Sequence, residues 1–132
     1  MEKYSINGVS LIKNEKAIFP MMGEFHFSRC PEKEWEDEIR KMRACGMDII
    51  ATYVFWIHHE EEEGVFDFSG QRNLHRFLEL CEKWQMHVWL RIGPWAHGEA
   101  RNGGFPDWLL KKGYKLRSDD PEYLALVERF WK

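Results

Sequence analysis

"MDIIATYVFW", residues 47–56, is an almost unbroken run of apolar and strand-forming side chains. A run that is apolar at odd and even positions alike leaves no face for water, so it predicts a strand covered on both sides, as in a parallel sheet. Its flanks decide the class. Upstream, Pro31 suits the first turn of a helix, and Glu32 and Glu34 sit where acidic groups favour the positive end of the dipole. Trp35, Ile39 and Met42 then recur at i, i+4 and i+7, and Gly46 is placed to end that helix. Downstream, "GQRNLHRFLELCEKW" (70–84) is helical, with Leu74, Phe77, Leu78 and Cys81 on one face. "MHVWLRI" (86–92) reads as another strand of the same unalternating kind. Two further helices follow, "FPDWLLKKG" ending at Gly113 and "DDPEYLALVERFW" starting at Asp120 and Pro121. Strands that each lead into an amphipathic helix make an α/β architecture, a parallel sheet with helical covers.

The first strand of the series is read over "AIFPMMGEFHFS" (17–28). Ahead of it, "YSINGVSLIKNEKAIF" carries Asn7-Gly8 between apolar alternations, the mark of a small hairpin. Residues 1–20 are thus a hairpin-like lead-in, and residues 21–132 hold three βα units. A doubly wound sheet and the opening of a (β/α)₈ barrel both begin this way. A complete barrel takes about 250 residues, so under that reading this chain is less than half of one.

Composition excludes several classes. A net charge of -3 gives no basic face for nucleic acid. No apolar run approaches the roughly 20 residues that span a bilayer. "MEKYSINGVS" lacks the apolar segment of a signal peptide, and cytoplasmic, periplasmic and secreted parents all stay open. Cys30, Cys45 and Cys81 are widely spaced and odd in number, and read as buried small hydrophobes rather than a disulfide or metal set. The aromatic share is 15%, with seven Trp, enough to line a cleft as well as a core.

The polar residues gather at the strand ends. The three strands finish in "GEFHFSR", "TYVFWIHHE" and "RIGPWAHGE", each with His, an aromatic and Glu or Arg. In parallel α/β folds those ends share one face, and ligands bind there. Glu99 is the strongest candidate for ligand contact, in a glycine-containing loop beside Trp95, His97 and Arg101, with Gly103, Gly104 and Pro106 shaping the turn. Blander readings stand beside the functional ones. Glu24 could pair with Arg29, His26 could donate to a backbone carbonyl, and Glu60 to Glu63 read as a solvated turn. Trp56 and Trp95 could be packing, Trp35 and Trp84 read as core or cover, and His75 and His87 carry no signal. Carboxylate, arginine and histidine beside aromatic planes suit a sugar's hydroxyls and its C–H face. A phosphate site would show a glycine-rich turn opening a helix. His26, His58, His59 and His97 lack the spacing of a zinc site, so neither metal nor cofactor is expected.

At these residues the sequence resembles glycoside hydrolase family 35, the β-galactosidases. The resemblance runs from "GEFHFSRCPEKEWEDEIRKMRACGMDIIATYVFWIHHE" through "GVFDFSGQRNLHRFLELC" to "RIGPWAHGEARNGGFPDWL". It implies a (β/α)₈ TIM barrel, of which residues 1–132 are an N-terminal fragment carrying the first three or so βα units. It further implies a retaining hydrolase of terminal β-galactosides, in which Tyr53 and Glu99 contact the galactosyl ring, with Trp95, His97, His26 and Arg29 as further substrate-binding candidates. The family's two catalytic glutamates are expected beyond Lys132, the first in a Glu-Asn-Glu motif that does not occur here. No acid/base or nucleophile is therefore assigned, and the 132 residues alone are expected to be inactive. Ile57 stands where the family commonly has Asn, and Trp95-Ala96-His97-Gly98 replaces Tyr-Ile-Cys-Ala, so the preferred sugar or linkage can differ. The alternatives are a related barrel glycosidase with other sugar specificity and a non-catalytic carbohydrate-binding remnant. The expected partner is a galactoside or related oligosaccharide, with no nucleic acid and no membrane, and with self-association through open barrel edges.

Overall fold

The computed structural model describes residues 3–132. Three short strands come first, β1 (Tyr4–Ile6), β2 (Leu11–Lys13) and β3 (Lys16–Ile18), paired antiparallel in that order. The Asn7 side chain shapes the first turn, its carboxamide oxygen accepting from Val9 and Ser10 N–H at 3.2 and 2.9 Å. Asn14 and Glu15 both take left-handed backbone angles, which lets a two-residue turn match the twist of β2 and β3.

The strand expected over residues 17–28 is broken in two. Its first part belongs to the antiparallel sheet, and β4 (Met22–Glu24) opens a separate parallel one. Pro20 lies at the break, where the missing N–H and fixed φ stop a continuous ladder. Past β4, Phe27–Arg29 forms a 3₁₀ turn rather than strand. That turn sends Phe27 into the core, stacked on Phe77 with ring centroids 5.1 Å apart.

The second sheet runs β4-β5-β6, all parallel, with β5 (Ile49–Tyr53) in the middle and β6 (His87–Arg91) at the edge. Helices α1 (Trp35–Ala44) and α3 (Leu74–Lys83) cover one face. A further 3₁₀ turn, Glu32–Glu34, joins Pro31 to α1. Trp35 and Ile39 are fully buried and Met42 partly so, as the spacing predicts. The Trp35 indole N–H donates to the carbonyls of Phe27 and Cys30, each at 2.9 Å. On α3 the buried residues are Phe77, Leu80 and Cys81, with Leu74 and Leu78 only half-buried. Trp84, at the end of α3, packs half-buried against this core.

Two expectations fail here. β6 is not covered on both faces: Trp89 is 60% exposed and His87 is exposed, while Val88 and Leu90 are partly buried. Tyr4, Leu11 and Ile18 of the antiparallel sheet line a hollow beside His87 and Trp89 without burying them. Cys45 is exposed because it caps the C-terminus of α1, while Cys30 is half-buried and Cys81 buried. Burial pushes the Cys81 thiol up to about 12, which keeps it protonated and inert.

A second core lies beyond the C-terminal ends of the strands. Trp56, on the short helix α2 (Trp56–His59), is buried with Phe105, Leu109, Tyr123 and Val127 from the following loop, α4 (Asp107–Lys111) and α5 (Pro121–Trp131). Its ring stacks on Phe130 at 4.8 Å. Asp120 caps α5: one carboxylate oxygen accepts from Glu122 and Tyr123 N–H, the other from Lys115 N–H. Asp120→Ala is expected to cost about 1–2 kcal/mol, read as a lower urea midpoint at unchanged slope; an unchanged midpoint would show that the cap is dispensable.

Candidate functional site

Tyr53 ends β5 and Arg91 ends β6, side by side in register. The loop after β6 carries a cis Gly93–Pro94 bond and folds back on itself, Ala96 N–H donating to Gly103 carbonyl at 2.7 Å. Two glycines let this loop sit close. A Cβ on Gly103 would lie 2.1 Å from the Trp95 indole nitrogen, and Gly103 takes a left-handed φ of 64°. A Cβ on Gly98 would meet the Tyr53 ring at 3.1 Å. Tyr53 is consequently pressed against Gly98, and its hydroxyl donates to the His97 carbonyl at 3.2 Å.

Around Tyr53 the charged groups are paired. The Arg91 guanidinium lies over the Tyr53 ring, 3.7 Å from its centroid, and ion-pairs with Glu24. Glu24 therefore does not pair with Arg29, because β4 and β6 flank Tyr53 and bring Glu24 to Arg91 instead. His26 does not donate to a carbonyl: its Nδ1 accepts from Tyr53 N–H at a long 3.5 Å, and its Nε2 lies 3.4 Å from Glu24. Arg29 donates to the Gly98 carbonyl and reaches Glu99 at 4.0 Å. Glu99 stands clear of the protein, its side chain 88% exposed, on a residue held at a left-handed φ of 49°.

Of the predicted set, Tyr53, His26, Arg29 and Glu99 converge on one strand end. Trp95 and His97 do so only in part. Trp95 leans toward the Trp56 core, with the Arg117 guanidinium over its face at 4.3 Å and His97 at its edge. Its broad face is thus occupied by Arg117. Trp56 is packing. Glu60 is a correction: it is fully buried, not solvated, while Glu61, Glu62 and Glu63 are exposed as expected. One Glu60 oxygen accepts the Trp56 indole N–H at 2.6 Å; the other accepts Gly64 N–H at 2.6 Å and pairs with Arg129 of α5.

The model for the family described as Glycosyl hydrolases family 35 matches residues 10–132. The chain belongs to that family. It is 36% identical over 128 residues to a β-galactosidase of Xanthomonas manihotis, covering 96% of this chain and 21% of that protein. It is 45% identical over 111 residues to β-galactosidase 17 of Arabidopsis thaliana, covering 83% and 16%. It is 43% identical over 112 residues to an exo-β-D-glucosaminidase of Pyrococcus horikoshii, covering 82% and 14%. The chain thus spans about a fifth or less of the length of these relatives. The crystal structure of a β-galactosidase from the psychrophilic Marinomonas ef1 superposes with a TM-score of 0.60 at 17% identity, over 71% of this chain and 13% of that one. That likeness is one of fold.

Two residues of this family 35 chain escaped the sequence reading: Arg91, which covers Tyr53, and Trp89, exposed two positions earlier on the same sheet face. The signal was the alternation His87, Trp89, Arg91 against Val88, Leu90, hidden because tryptophan counts as apolar. Among the described residues no three His, Cys, Asp or Glu side chains come together as a metal site requires, and no helix is long and apolar enough to cross a membrane.

Burial holds three histidines below the ordinary value of about 6.5. For His26 and His58 the next cause is a nearby arginine, Arg29 and Arg72 respectively. For His59 burial is opposed by its bond to Asp67 carbonyl at 3.1 Å, to which Nδ1–H donates, while Nε2 is buried without a partner against Phe27 and Phe68. A histidine with a lowered folded-state value protonates first in the unfolded chain. Its contribution to stability is complete above about pH 6.5 and lost as pH falls through the folded values. Stability is expected to decline as pH falls below about 6.5, and His59→Phe to flatten that limb; an identical slope in the variant would exclude His59 as a source.

Proposed function

We propose that this chain supplies the galactosyl-binding strand ends of a retaining β-galactosidase whose complete catalytic domain is a (β/α)₈ barrel. Residues 1–20 are its lead-in and residues 21–132 its first βα units. The observation that carries the reading is the meeting of Tyr53 and the Gly98–Glu99 turn at the carboxyl end of a parallel sheet, with Arg29 holding the turn. Ligands bind at that end in such folds. Glu99 and Arg29 offer an acceptor and a donor to sugar hydroxyls, and His26 lines the same end. Relatives named β-galactosidase agree with it.

A retaining glycosidase needs two carboxyl groups about 5 Å apart across the scissile bond. Glu24 is held by Arg91 and Glu60 is sealed in the second core, which leaves Glu99 without a free carboxylate partner among these three. As the family resemblance implies, the acid/base and nucleophile are expected in parts of the catalytic domain outside residues 1–132. The complete gene product is expected to hydrolyse a nitrophenyl β-galactoside with retention, and a polypeptide of residues 1–132 to show no turnover. Turnover by the short polypeptide, or none by the complete product, overturns the assignment. Strands β4 and β6 each have an unpaired edge among the described residues, and Met22 and Trp89 are exposed; both support self-association of the short polypeptide.

The relatives named exo-β-D-glucosaminidase favour a second reading, the same pocket with another sugar. Ile57 and the Ala96-His97-Gly98 stretch are the departures that would carry it. Preference for a β-glucosaminide over a β-galactoside by the complete product would select it.

A further inference from the structure

The loop that carries Glu99 is held in a conformation its residues do not favour. Glu99 and Asn102 take left-handed φ angles of 49° and 57°, and neither is glycine. Such angles persist only where the surroundings over-determine them. Arg29 on the Gly98 carbonyl, Tyr53 on the His97 carbonyl and Ala96 N–H on the Gly103 carbonyl are three of the ties that do so. Another comes from further along the chain. Arg117, in the turn between α4 and α5, lays its guanidinium over the Trp95 face, 4.3 Å from the centroid. The indole beneath it has its nitrogen edge against Gly103 and lies edge-on to the His97 imidazole, with centroids 5.4 Å apart. Trp95 therefore braces the loop on both sides, at Gly103 where it returns and at His97, two residues before Glu99.

We propose that Arg117 is a positioning residue: through Trp95 it holds the loop in the shape that presents Glu99 at the strand end. Presentation of Glu99 to a sugar rests on the galactoside reading; the clamp on the loop does not. The backbone of Arg117 supports the assignment. It takes a left-handed φ of 55° in an exposed turn, where glycine would sit with less strain. The turn is closed without the guanidinium, by Asp120 accepting from Lys115 N–H at 3.0 Å and by the Ser118 hydroxyl donating to the Lys115 carbonyl at 2.6 Å. A long charged side chain thus serves Trp95 rather than the turn that bears it. A guanidinium suits that task, because it lies flat on an indole and keeps its N–H groups for water. With its face covered, Trp95 acts on the sugar end only through the loop it braces.

The test uses the complete gene product. Trypsin cleavage after Arg101, whose side chain is 68% exposed in the same loop, reports how often the loop opens and is followed by mass spectrometry. Arg117→Ala is expected to speed that cleavage about fivefold and to lower kcat/KM on a β-galactoside by the same factor, the scale of one partly exposed cation–π contact. Arg117→Gly removes the same guanidinium while relieving the backbone, so it is expected to melt no lower than Arg117→Ala and yet to lose as much kcat/KM. In a Glu99→Ala background, Arg117→Ala is expected to cost nothing further, since the group it positions is gone; a general structural role would repeat the whole loss. Unchanged cleavage after Arg101, unchanged kcat/KM in Arg117→Ala, recovered kcat/KM in Arg117→Gly, or a full further loss in the Glu99→Ala background overturns the assignment. If wild type does not hydrolyse a β-galactoside, the galactoside reading fails, and cleavage after Arg101 alone then decides whether Arg117 holds the loop.

Discussion

Glu60→Ala is expected to destabilise the fold by about 3 kcal/mol, at the lower end of the range for breaking a buried ion pair. Glu60 has no solvent exposure, and its carboxylate serves the Trp56 indole N–H, the Gly64 N–H and the Arg129 guanidinium at once. Alanine strands all three. The Trp56 indole is left in a dry site without an acceptor, the part-buried Gly64 amide loses its partner, and Arg129, whose Nε already lacks a partner, loses its anion. The Arg129 side chain is 38% exposed and can turn partly to water, which places the loss low in the range. The damage reaches further than one contact, because Glu60 ties α2 to α5 across 69 residues and its carbonyl also accepts the Trp108 indole N–H at 2.9 Å. Glu60→Gln keeps one acceptor and is expected to lose about half as much. Urea denaturation followed by tryptophan fluorescence measures both; a loss under about 1 kcal/mol for alanine would mean that the pair is not what joins these helices.

Glu99→Ala is expected to lower kcat/KM of the complete product on a β-galactoside by about a hundredfold while leaving stability within about 0.5 kcal/mol. A hydrogen bond from a hydroxyl to a carboxylate contributes about 1.5–3 kcal/mol, and each 1.36 kcal/mol is a factor of ten, so one or two such bonds give this magnitude. The stability side follows from exposure: the Glu99 side chain makes only a 4.0 Å contact with Arg29 and otherwise faces water. Tyr53→Phe removes a hydroxyl that holds the His97 carbonyl and is expected to cost less, about tenfold, by loosening the loop that presents Glu99. An unchanged kcat/KM in Glu99→Ala would remove the carboxylate from sugar binding altogether.

Much of this is legible in residue order alone. The unalternating run at residues 47–56 and the stripe Trp35, Ile39, Met42 were enough for a parallel sheet with helical covers, because burial periodicity is written directly in residue order. The clustering of Tyr53, Glu99, Arg29 and His26 at strand ends was legible for the same reason: consecutive parallel strands finish on one side. Other features were not. Glu60 sits in a run of four glutamates that reads as a wet turn, and only Trp56, Gly64 and Arg129 arriving from three places make its burial tolerable. The partner of Glu24 depends on which strands lie either side of β5, a relation that no local window contains. The same holds for Trp95, whose face is taken by Arg117.

The sequence alone therefore determined the alternation of strands and helices, the end of the sheet at which the polar residues gather, and the family resemblance, since spacing and residue type encode periodicity and turn chemistry. Tertiary structure alone decided which charges neutralise one another, and which carboxylate is sealed and which stands free. Those depend on distances between residues far apart in the chain, and electrostatic pairing and desolvation act through space rather than along it.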